Sequence, residues 1–310
     1  MSVIKSIKGT IFSKLRKVVV SGNRISEEKL IYTMRHDALI EKALHCTDMG
    51  VTDERLCNEE LVVSLTTYGR RIYGVAPTIE SIMQGSVKPN RIVLWLDEAI
   101  QNRPLPVALQ QQQKRGLEVA FCKDVRSYKK LVPTLCKYPE ASIITIDDDA
   151  IYRYDLIEKL LNEHIIYPDE IIANRIHRII LGDDHRPISY LKWDQCSDPE
   201  DNSYLNFFTG VGGVLYPPHS LPKETFNEEV FLNICKSADD IWFYAMSIMA
   251  GTHTRKCPTY NIYGDEFVMC DDVQDMALSN ENNDQTQCMN DIQFKAVFDR
   301  YNLWNKYEES

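Results

Sequence analysis

The sequence predicts an α/β protein whose mostly parallel sheet is covered by helices on both faces. Short apolar segments rich in β-branched residues recur between residues 61 and 146, and helix-like segments lie between them. Strands that alternate with helices in this way are typical of βαβ units. No apolar stretch within the 310 residues approaches the roughly 18 residues that a membrane-spanning helix needs.

Four buried strands are predicted in the first half, because each segment is short, apolar and bounded by turn residues. They cover Leu61–Thr66, Arg91–Leu96, Leu117–Phe121 and Ser142–Ile146. Helices are predicted between them, over Val75–Gln84, Pro104–Lys114 and Tyr128–Tyr138. The carboxyl ends of parallel strands lie along one edge of a sheet, so the loops after the four strands should share one crevice.

The second half has a less regular pattern. Helices are predicted over Leu156–His164, Ala238–Met249 and Met289–Trp304, and an extended segment over Ile171–Ile180. Three glycines fall within Phe207–Tyr216. No linker-like composition separates the halves. We therefore expect one continuous unit over residues 58–310, whose halves meet near residue 155, preceded by a helical segment over residues 1–57.

Charge is distributed unevenly along the chain. The 35 Lys and Arg against 45 Asp and Glu give a net charge of −10. We expect no nucleic-acid partner, because such affinity comes from neutralising phosphates. Residues 1–24 nevertheless contain no acid and six basic residues, which are Lys5, Lys8, Lys14, Arg16, Lys17 and Arg24. Apolar residues at three- and four-residue steps predict an amphipathic helix here, either docked on the domain or lying on an anionic membrane surface.

The cysteines predict neither a disulfide framework nor a zinc site. There are nine of them, none forms C-x-x-C, and none stands at a zinc-ligand spacing from a histidine. An odd number of cysteines without a secretory signal predicts reduced, mostly buried thiols in a cytosolic protein.

The clearest sign of chemistry is the triplet Asp147–Asp149, directly after the predicted strand Ser142–Ile146. Three adjacent carboxylates repel one another, and core packing does not require them. Asp147 and Asp149 are two residues apart, so they point the same way in an extended chain. Such a pair suits a hard divalent cation that also takes phosphate oxygens. We therefore expect a metal–diphosphate site; a solvated turn or a phosphoryl-accepting Asp are the alternatives.

The loop after the first predicted strand also carries suitable groups. Residues 66–71 read Thr-Thr-Tyr-Gly-Arg-Arg, which offers hydroxyls, an aromatic ring that can stack on a base, and guanidinium groups for phosphate. The loop is either a nucleotide-binding loop or an ordinary polar connection.

Six segments occur in a recognisable order. They are Ser64–Tyr68, Gln84–Trp95, Tyr128–Lys130, Asp147–Asp149, Phe208–Pro218 and Asp239–Trp242. Together they resemble bacterial glycosyltransferases of the GT-A type that act in surface-polysaccharide (capsule and lipopolysaccharide) synthesis. The resemblance implies a Rossmann-like GT-A fold, in which residues 58–155 take a nucleotide-sugar donor and residues 156–310 take the acceptor.

The resemblance also implies roles for individual side chains around the donor. It makes Asp147–Asp149 a D-x-D motif, in which Asp149 and Asp147 hold Mn²⁺ or Mg²⁺. Asp97, the acid after the second predicted strand, would bind the nucleobase of the donor, and Lys130 would reach its diphosphate. The residues expected to contact the donor are Thr66, Tyr68, Arg70, Asp97, Lys130, Asp147 and Asp148.

On the acceptor side, Asp239 and Asp240 open the apolar helix predicted over Ala238–Met249. Asp is a favoured helix cap, but one acid suffices for that purpose. An inverting transferase needs a carboxylate that accepts the proton of the acceptor hydroxyl. The resemblance places this base here, and we favour Asp240 over Asp239. The residues expected to face the acceptor are Gly212, Gly213 and Trp242.

The expected function is therefore a metal-dependent, inverting glycosyltransferase. It would move a sugar from a UDP-linked donor to a saccharide or a lipid-linked saccharide. We expect a cytoplasmic protein that contacts the inner face of the membrane through residues 1–20. A sugar nucleotidyltransferase and a catalytically silent nucleotide- or saccharide-binding module are the alternatives.

Overall fold

The fold was analysed in a computed structural model, which describes residue 30 and residues 33–258, 267–270, 282 and 288–309. The predicted amphipathic helix of residues 1–24, and with it the expected membrane contact, lies outside the described residues.

A seven-stranded mixed sheet forms the centre of the molecule, and the predicted α/β class is confirmed. Its strands, in spatial order, are β11 (Thr254–Lys256), β6 (Ile171–Ala173), β10 (Val214–Tyr216), β4 (Ser142–Thr145), β1 (Leu61–Thr66), β2 (Arg91–Asp97) and β3 (Leu117–Cys122). Strand β10 runs antiparallel to both of its neighbours, and the other pairs within this sheet are parallel.

Two small sheets contain the other strands of the described residues. One contains β5 (Ala150–Tyr152) and β12 (Phe267–Met269); the other contains β8 (Asp194–Ser197), β7 (Ile176–Arg178) and β9 (Asn206–Phe208). The single extended segment predicted over Ile171–Ile180 is therefore wrong. The chain leaves the central sheet at Asn174, whose backbone and side-chain amides donate to the carbonyls of Gly213 and Gly212.

Eight helices are described. They are α1 (residues 33–45), α2 (Ala76–Met83), α3 (Val107–Gln113), α4 (Val132–Lys137), α5 (Leu156–Ile166), α6 (Glu228–Ile234), α7 (Asp239–Ala250) and α8 (Met289–Tyr301). None of these described helices is long and apolar enough to cross a bilayer.

Three helices differ from their predicted bounds for local reasons. Helix α3 begins at Val107 rather than Pro104, because Pro106 has a non-helical ψ of 145°. The helix predicted over Tyr128–Tyr138 is a 3-10 turn at Arg126–Lys130 followed by α4. Pro133 lies in the first turn of α4, where its missing N–H costs no helical hydrogen bond. Helix α8 ends at Tyr301 rather than Trp304, because Asn302 adopts the left-handed conformation that terminates helices.

Both faces of the central sheet are buried. In β1, Val62 points into one apolar cluster, whereas Val63 and Leu65 point into the other. Helix α7 covers the first face, with Phe243 in that cluster; α2 and α5 cover the second. Burial on both faces explains why the strands appear in the sequence as continuous apolar segments rather than as alternating ones.

Residues 33–50 pack against the central unit. Ala43 of α1 belongs to the second apolar cluster, and Arg35 donates from Nη2 to the Tyr152 carbonyl at 2.6 Å. Gly50 donates its N–H to the carbonyl of Arg115, whose guanidinium in turn binds the carbonyl of Asp48. Residues 33–50 therefore contact both β5 and the connection between α3 and β3.

Candidate active site

Three loops meet at the carboxyl edge of the central sheet. Residues 147–149 follow β4, and residues 67–71 follow the neighbouring strand β1. Strand β10 is antiparallel to β4, and its first residue Val214 pairs with Thr145, the last residue of β4. The glycine-rich segment before β10 therefore reaches the same edge. Helix α7 begins there as well, with Asp239 and Asp240 in its first turn.

Arg71 holds two of the three adjacent aspartates. Its Nη1 lies 3.2 Å from Oδ1 of Asp148, and its Nη2 donates to the Asp149 carboxylate. The Thr67 hydroxyl donates to the other oxygen of Asp148, and the Thr78 hydroxyl donates to the Asp148 carbonyl. Arg71, Asp148 and Asp149 are each less than a tenth exposed. Buried hydrogen bonds and ion pairs therefore hold the Asp148 and Asp149 side chains in place.

Lys130 joins the triplet to the start of α7. Its buried Nζ lies 2.9 Å from Oδ1 of Asp147, 2.9 Å from Oδ2 of Asp239 and 3.7 Å from Oδ1 of Asp240. Asp239 Oδ2 and Asp240 Oδ1 are buried and, among the described residues, make no hydrogen bond. The contact to Asp239 is thus an ion pair without hydrogen-bond geometry. Burial lowers the pKa of Lys130, but the three carboxylates outweigh it and hold that pKa well above its usual range.

Two carboxyl groups of the cluster have pKa values that are raised towards neutral pH. Burial, together with the charges of Asp239 and Asp147, raises the pKa of Asp240 to about 7, although Lys130 opposes the shift. Burial likewise raises the pKa of Asp148 to about 6, against the opposing charge of Arg71. A carboxyl group with such a pKa suits a general base, since a large fraction of it is ionised at neutral pH and the carboxylate is basic enough to take a proton.

Gly210 permits the close packing around Lys130. A Cβ at this position would lie 2.6 Å from Nζ of Lys130 and 2.9 Å from Oδ1 of Asp240. The Gly210 N–H also donates to Oδ2 of Asp240 at 3.0 Å. Gly212 and Gly213, which were expected to face the acceptor, are required by the local backbone and packing. A Cβ at Gly212 would lie 2.7 Å from the Cβ of Arg175, and Gly213 has a φ of +87°.

Trp242 is not available to an acceptor, and that expectation is wrong. Its side chain is fully buried on the core face of α7, and its indole N–H donates to the Thr225 carbonyl at 3.2 Å. Phe231 and Tyr301 pack edge-on against its ring.

The structure brings only part of the expected donor set into the cluster. Asp147 and Asp148 contact Lys130 and Arg71, as described above. The Thr66 hydroxyl instead donates to the Trp95 carbonyl, and Asp97 accepts from the N–H of Ala99 at the start of a 3-10 turn. Tyr68 and Arg70 are exposed at the rim.

The sequence analysis proposed this loop as a whole, but its expected donor contacts left out Thr67 and Arg71, which make the closest contacts from the loop. They alternate with the expected residues Thr66, Tyr68 and Arg70. The available signal was Gly69, whose φ of +55° starts the 3-10 turn Gly69–Tyr73 and carries Arg71 inward.

The donor chemistry of the cluster fits a hard divalent cation. Its contacts join five carboxyl groups to two cationic side chains, and the members are Asp147, Asp148, Asp149, Asp239, Asp240, Arg71 and Lys130. Mutual repulsion of these acids contributes to the raised pKa values of Asp148 and Asp240. An added cation on carboxylate oxygens would offset this excess of negative charge.

The chain is similar in structure to TarS of S. aureus. A crystal structure of TarS residues 1–349 in complex with UDP has 14% sequence identity and a TM-score of 0.41, over 65% of this chain and 59% of that chain. A second structure of TarS 1–349 has 14% identity and a TM-score of 0.43, over 78% of this chain and 72% of that chain. A structure of TarS has 13% identity and a TM-score of 0.42, over 79% of this chain and 43% of that chain.

This chain thus matches less than two thirds of the first TarS structure, of which 59% is covered. No protein-family model and no curated protein sequence matches it. What the site can bind follows from its own side chains.

Proposed function

We propose that this protein is a glycosyltransferase that moves a sugar from a nucleotide-diphosphate sugar to a hydroxyl of a saccharide. One observation carries the proposal. Lys130 contacts both Asp147, at the carboxyl end of β4, and the Asp239–Asp240 pair at the start of α7. The groups proposed to bind the donor diphosphate and to accept the proton therefore lie next to each other, at the edge where sheets of this kind bind ligands.

The proposed reaction is a single displacement. The acceptor oxygen attacks the anomeric carbon of the donor sugar while the bond from that carbon to the diphosphate oxygen breaks. Asp240, held by the Gly210 N–H, takes the hydroxyl proton as a carboxylate. Attack on the face opposite the leaving group inverts the anomeric centre.

The cations of the site offset the charge on the leaving diphosphate. Lys130 and Arg71 are held by the buried carboxylates of Asp239 and Asp149, so they need no reorganisation when that charge develops. Mn²⁺ or Mg²⁺ held by Asp147 and Asp149 would supply further positive charge to the diphosphate. Metal dependence is part of the proposal.

The donor and acceptor classes extend the proposal. UDP, the nucleotide present in one of the similar TarS structures, is the first to test. We propose a surface-polysaccharide saccharide, free or lipid-linked, as the acceptor, and a cytoplasmic protein whose basic residues 1–20 contact the inner membrane face. Removal of residues 1–20 should then reduce sedimentation with phosphatidylglycerol vesicles; unchanged sedimentation would contradict the membrane contact.

Product analysis tests the proposed activity directly. UDP-sugars should give UDP with Mn²⁺ and a saccharide acceptor, and Asp240→Asn should abolish UDP release. Asp53→Ala, an exposed acid beside the amino ends of the strands, is the control and should keep full activity. Release of pyrophosphate from UTP and a sugar 1-phosphate would instead identify a nucleotidyltransferase. No turnover of any UDP-, GDP-, CDP- or dTDP-sugar would favour a silent binding module.

A further inference from the structure

A second cluster of reactive side chains lies at the opposite, amino edge of the central sheet. Cys57 and Glu59 precede β1, and His164 lies in the last turn of α5. The Cys57 Sγ, a Glu59 carboxylate oxygen and an imidazole nitrogen of His164 all lie within 4.8 Å of one another. Within the described residues this is the one group of three or more potential metal ligands that converges so closely.

The polar groups of this cluster contact one another, and the Cys57 thiol donates to the backbone carbonyl of Glu59 at 3.4 Å. The Ser142 hydroxyl, at the start of β4, donates to Oε1 of Glu59 at 2.6 Å and lies 3.0 Å from Nε2 of His164. The same Nε2 contacts the Glu59 carboxylate. His164 is buried, and its Nδ1 has no hydrogen-bond partner among the described residues. All polar contacts described for this imidazole therefore fall on Nε2, the atom that contacts the Glu59 carboxylate.

We propose that Cys57, Glu59 and His164 bind one transition-metal ion of the zinc class. A thiolate, an imidazole and a carboxylate together form a donor set typical of Zn²⁺, whereas Mg²⁺ and Ca²⁺ take oxygen ligands only. The Glu59 side chain keeps 17% of its surface exposed, so a water can reach the fourth tetrahedral position. Binding forms a bond from the metal to the Cys57 sulfur and releases the thiol proton to solvent.

Ser142 would then act as a positioning residue, because its hydroxyl touches two of the three ligands. Partners of this kind orient metal ligands, and their loss costs about 10-fold or more in metal affinity. The ion would join the segment before β1 to β4 and α5. The site would be separated from the Asp147–Asp149 edge by the length of β4, on the order of 10 Å.

Cobalt substitution tests the proposal on the full chain. Protein freed of metal by a chelator is titrated with Co²⁺, and we expect one equivalent to give a thiolate-to-cobalt charge-transfer absorption that Zn²⁺ then displaces. Cys57→Ser should abolish the absorption, and Ser142→Ala should weaken Co²⁺ binding about 10-fold. Cys136→Ser, which removes an exposed thiol, is the matched control and should leave it unchanged. Asp149→Ala should also leave it unchanged, which separates this site from the proposed transferase site.

A second measurement uses only the wild-type chain, in case Cys57→Ser does not fold. Saturating Zn²⁺ should slow the alkylation of Cys57 by iodoacetamide, followed residue by residue by mass spectrometry, and leave the alkylation of Cys136 unchanged. The proposal is overturned by a wild-type Co²⁺ complex that lacks the thiolate absorption, or by equal alkylation of Cys57 with and without Zn²⁺. An absorption that survives in folded Cys57→Ser would also overturn it.

Discussion

The backbone N–H of Gly210 donates to Oδ2 of Asp240 at 3.0 Å. This hydrogen bond ties the glycine-rich segment before β10 to the first turn of α7. It leaves Oδ1 of Asp240 facing Lys130, at 3.7 Å. The orientation of the proposed base therefore depends on a backbone position that has no side chain.

Gly210→Ala should lower kcat/KM strongly. The added Cβ would lie 2.6 Å from Nζ of Lys130 and 2.9 Å from Oδ1 of Asp240, so at least one of these groups must move. A displacement of about 1 Å at reacting groups costs about 100-fold in rate. Steady-state kinetics of folded protein is the measurement, with Gly182→Ala, in the turn before Pro187, as the control. Unchanged kinetics would separate Gly210 from the reaction.

Lys130→Met should destabilise the fold and disable the base. Removing one partner of a buried ion pair leaves uncompensated charge and costs about 3 kcal/mol in the free energy of unfolding. The loss of Lys130 should also raise the pKa of Asp240 further, because Lys130 lowers that pKa more than the Gly210 hydrogen bond does. Urea unfolding and a pH–rate profile measure the two effects.

Lys129→Met is the matched control for that variant. Lys129 is also buried, but its ionic partner Asp124 is half exposed and can be solvated once the lysine is gone. We expect a clearly smaller loss of stability. An equal loss in both variants would contradict the special position assigned to Lys130.

The pH dependence of kcat/KM should report Asp240. The base works only as a carboxylate, and its pKa is about 7. Below that pH, kcat/KM should fall about tenfold per pH unit, and above it the rate should level off. A profile that is flat between pH 5 and 8 would contradict the assignment of Asp240 as the base.

Stability should change with pH in the opposite sense. The folded-state pKa of Asp240 lies above the value of about 3.9 for an unfolded Asp, so the unfolded chain loses this proton first as the pH rises. The contribution of Asp240 to the free energy of unfolding should thus fall between about pH 4 and its folded pKa, and then stay constant. Asp240→Asn should remove this part of the slope in urea unfolding, and an unchanged slope would refute it.

Tyr152→Phe should reduce turnover while preserving the overall fold. The buried Tyr152 hydroxyl accepts from the Asp147 N–H at 3.0 Å and donates to the Val211 carbonyl at 2.9 Å, so it holds the acidic loop against the glycine-rich segment. Its loss leaves two backbone groups unpaired, at about 2 kcal/mol. We expect kcat to fall about 10-fold with little change in KM.

Tyr154→Phe is the control, because Tyr154 is 62% exposed. A Tyr152→Phe variant with wild-type kcat would show that the two loops keep their positions without this hydroxyl.

The sequence predicts the strand framework closely. The four apolar segments of the first half became β1 to β4 with ends within one residue, because each strand is buried on both faces and its pattern depends on local sequence alone. The place of Asp147–Asp149 at the carboxyl edge follows directly from that order.

Long-range contacts explain what the sequence could not predict. Strand β10 has three residues, and its antiparallel place between β4 and β6 depends on pairing partners distant in sequence. Lys130 meets Asp239 across 109 positions, and no local pattern encodes that contact. Trp242 was misassigned because an aromatic residue next to an acid looks alike in the sequence whether it faces the core or a cleft.

The most direct test of the central claim is nucleotide binding at the Asp147–Asp149 edge. The melting midpoint is measured with UDP, GDP, CDP and dTDP, each with and without Mn²⁺, for the wild type, Asp149→Ala and the control Asp53→Ala. A ligand that binds only the native state raises the midpoint by mass action. We predict that one nucleotide stabilises the wild type and Asp53→Ala only with Mn²⁺, and that Asp149→Ala abolishes the shift. No shift with any nucleotide, or an equal shift in Asp149→Ala, would contradict the account.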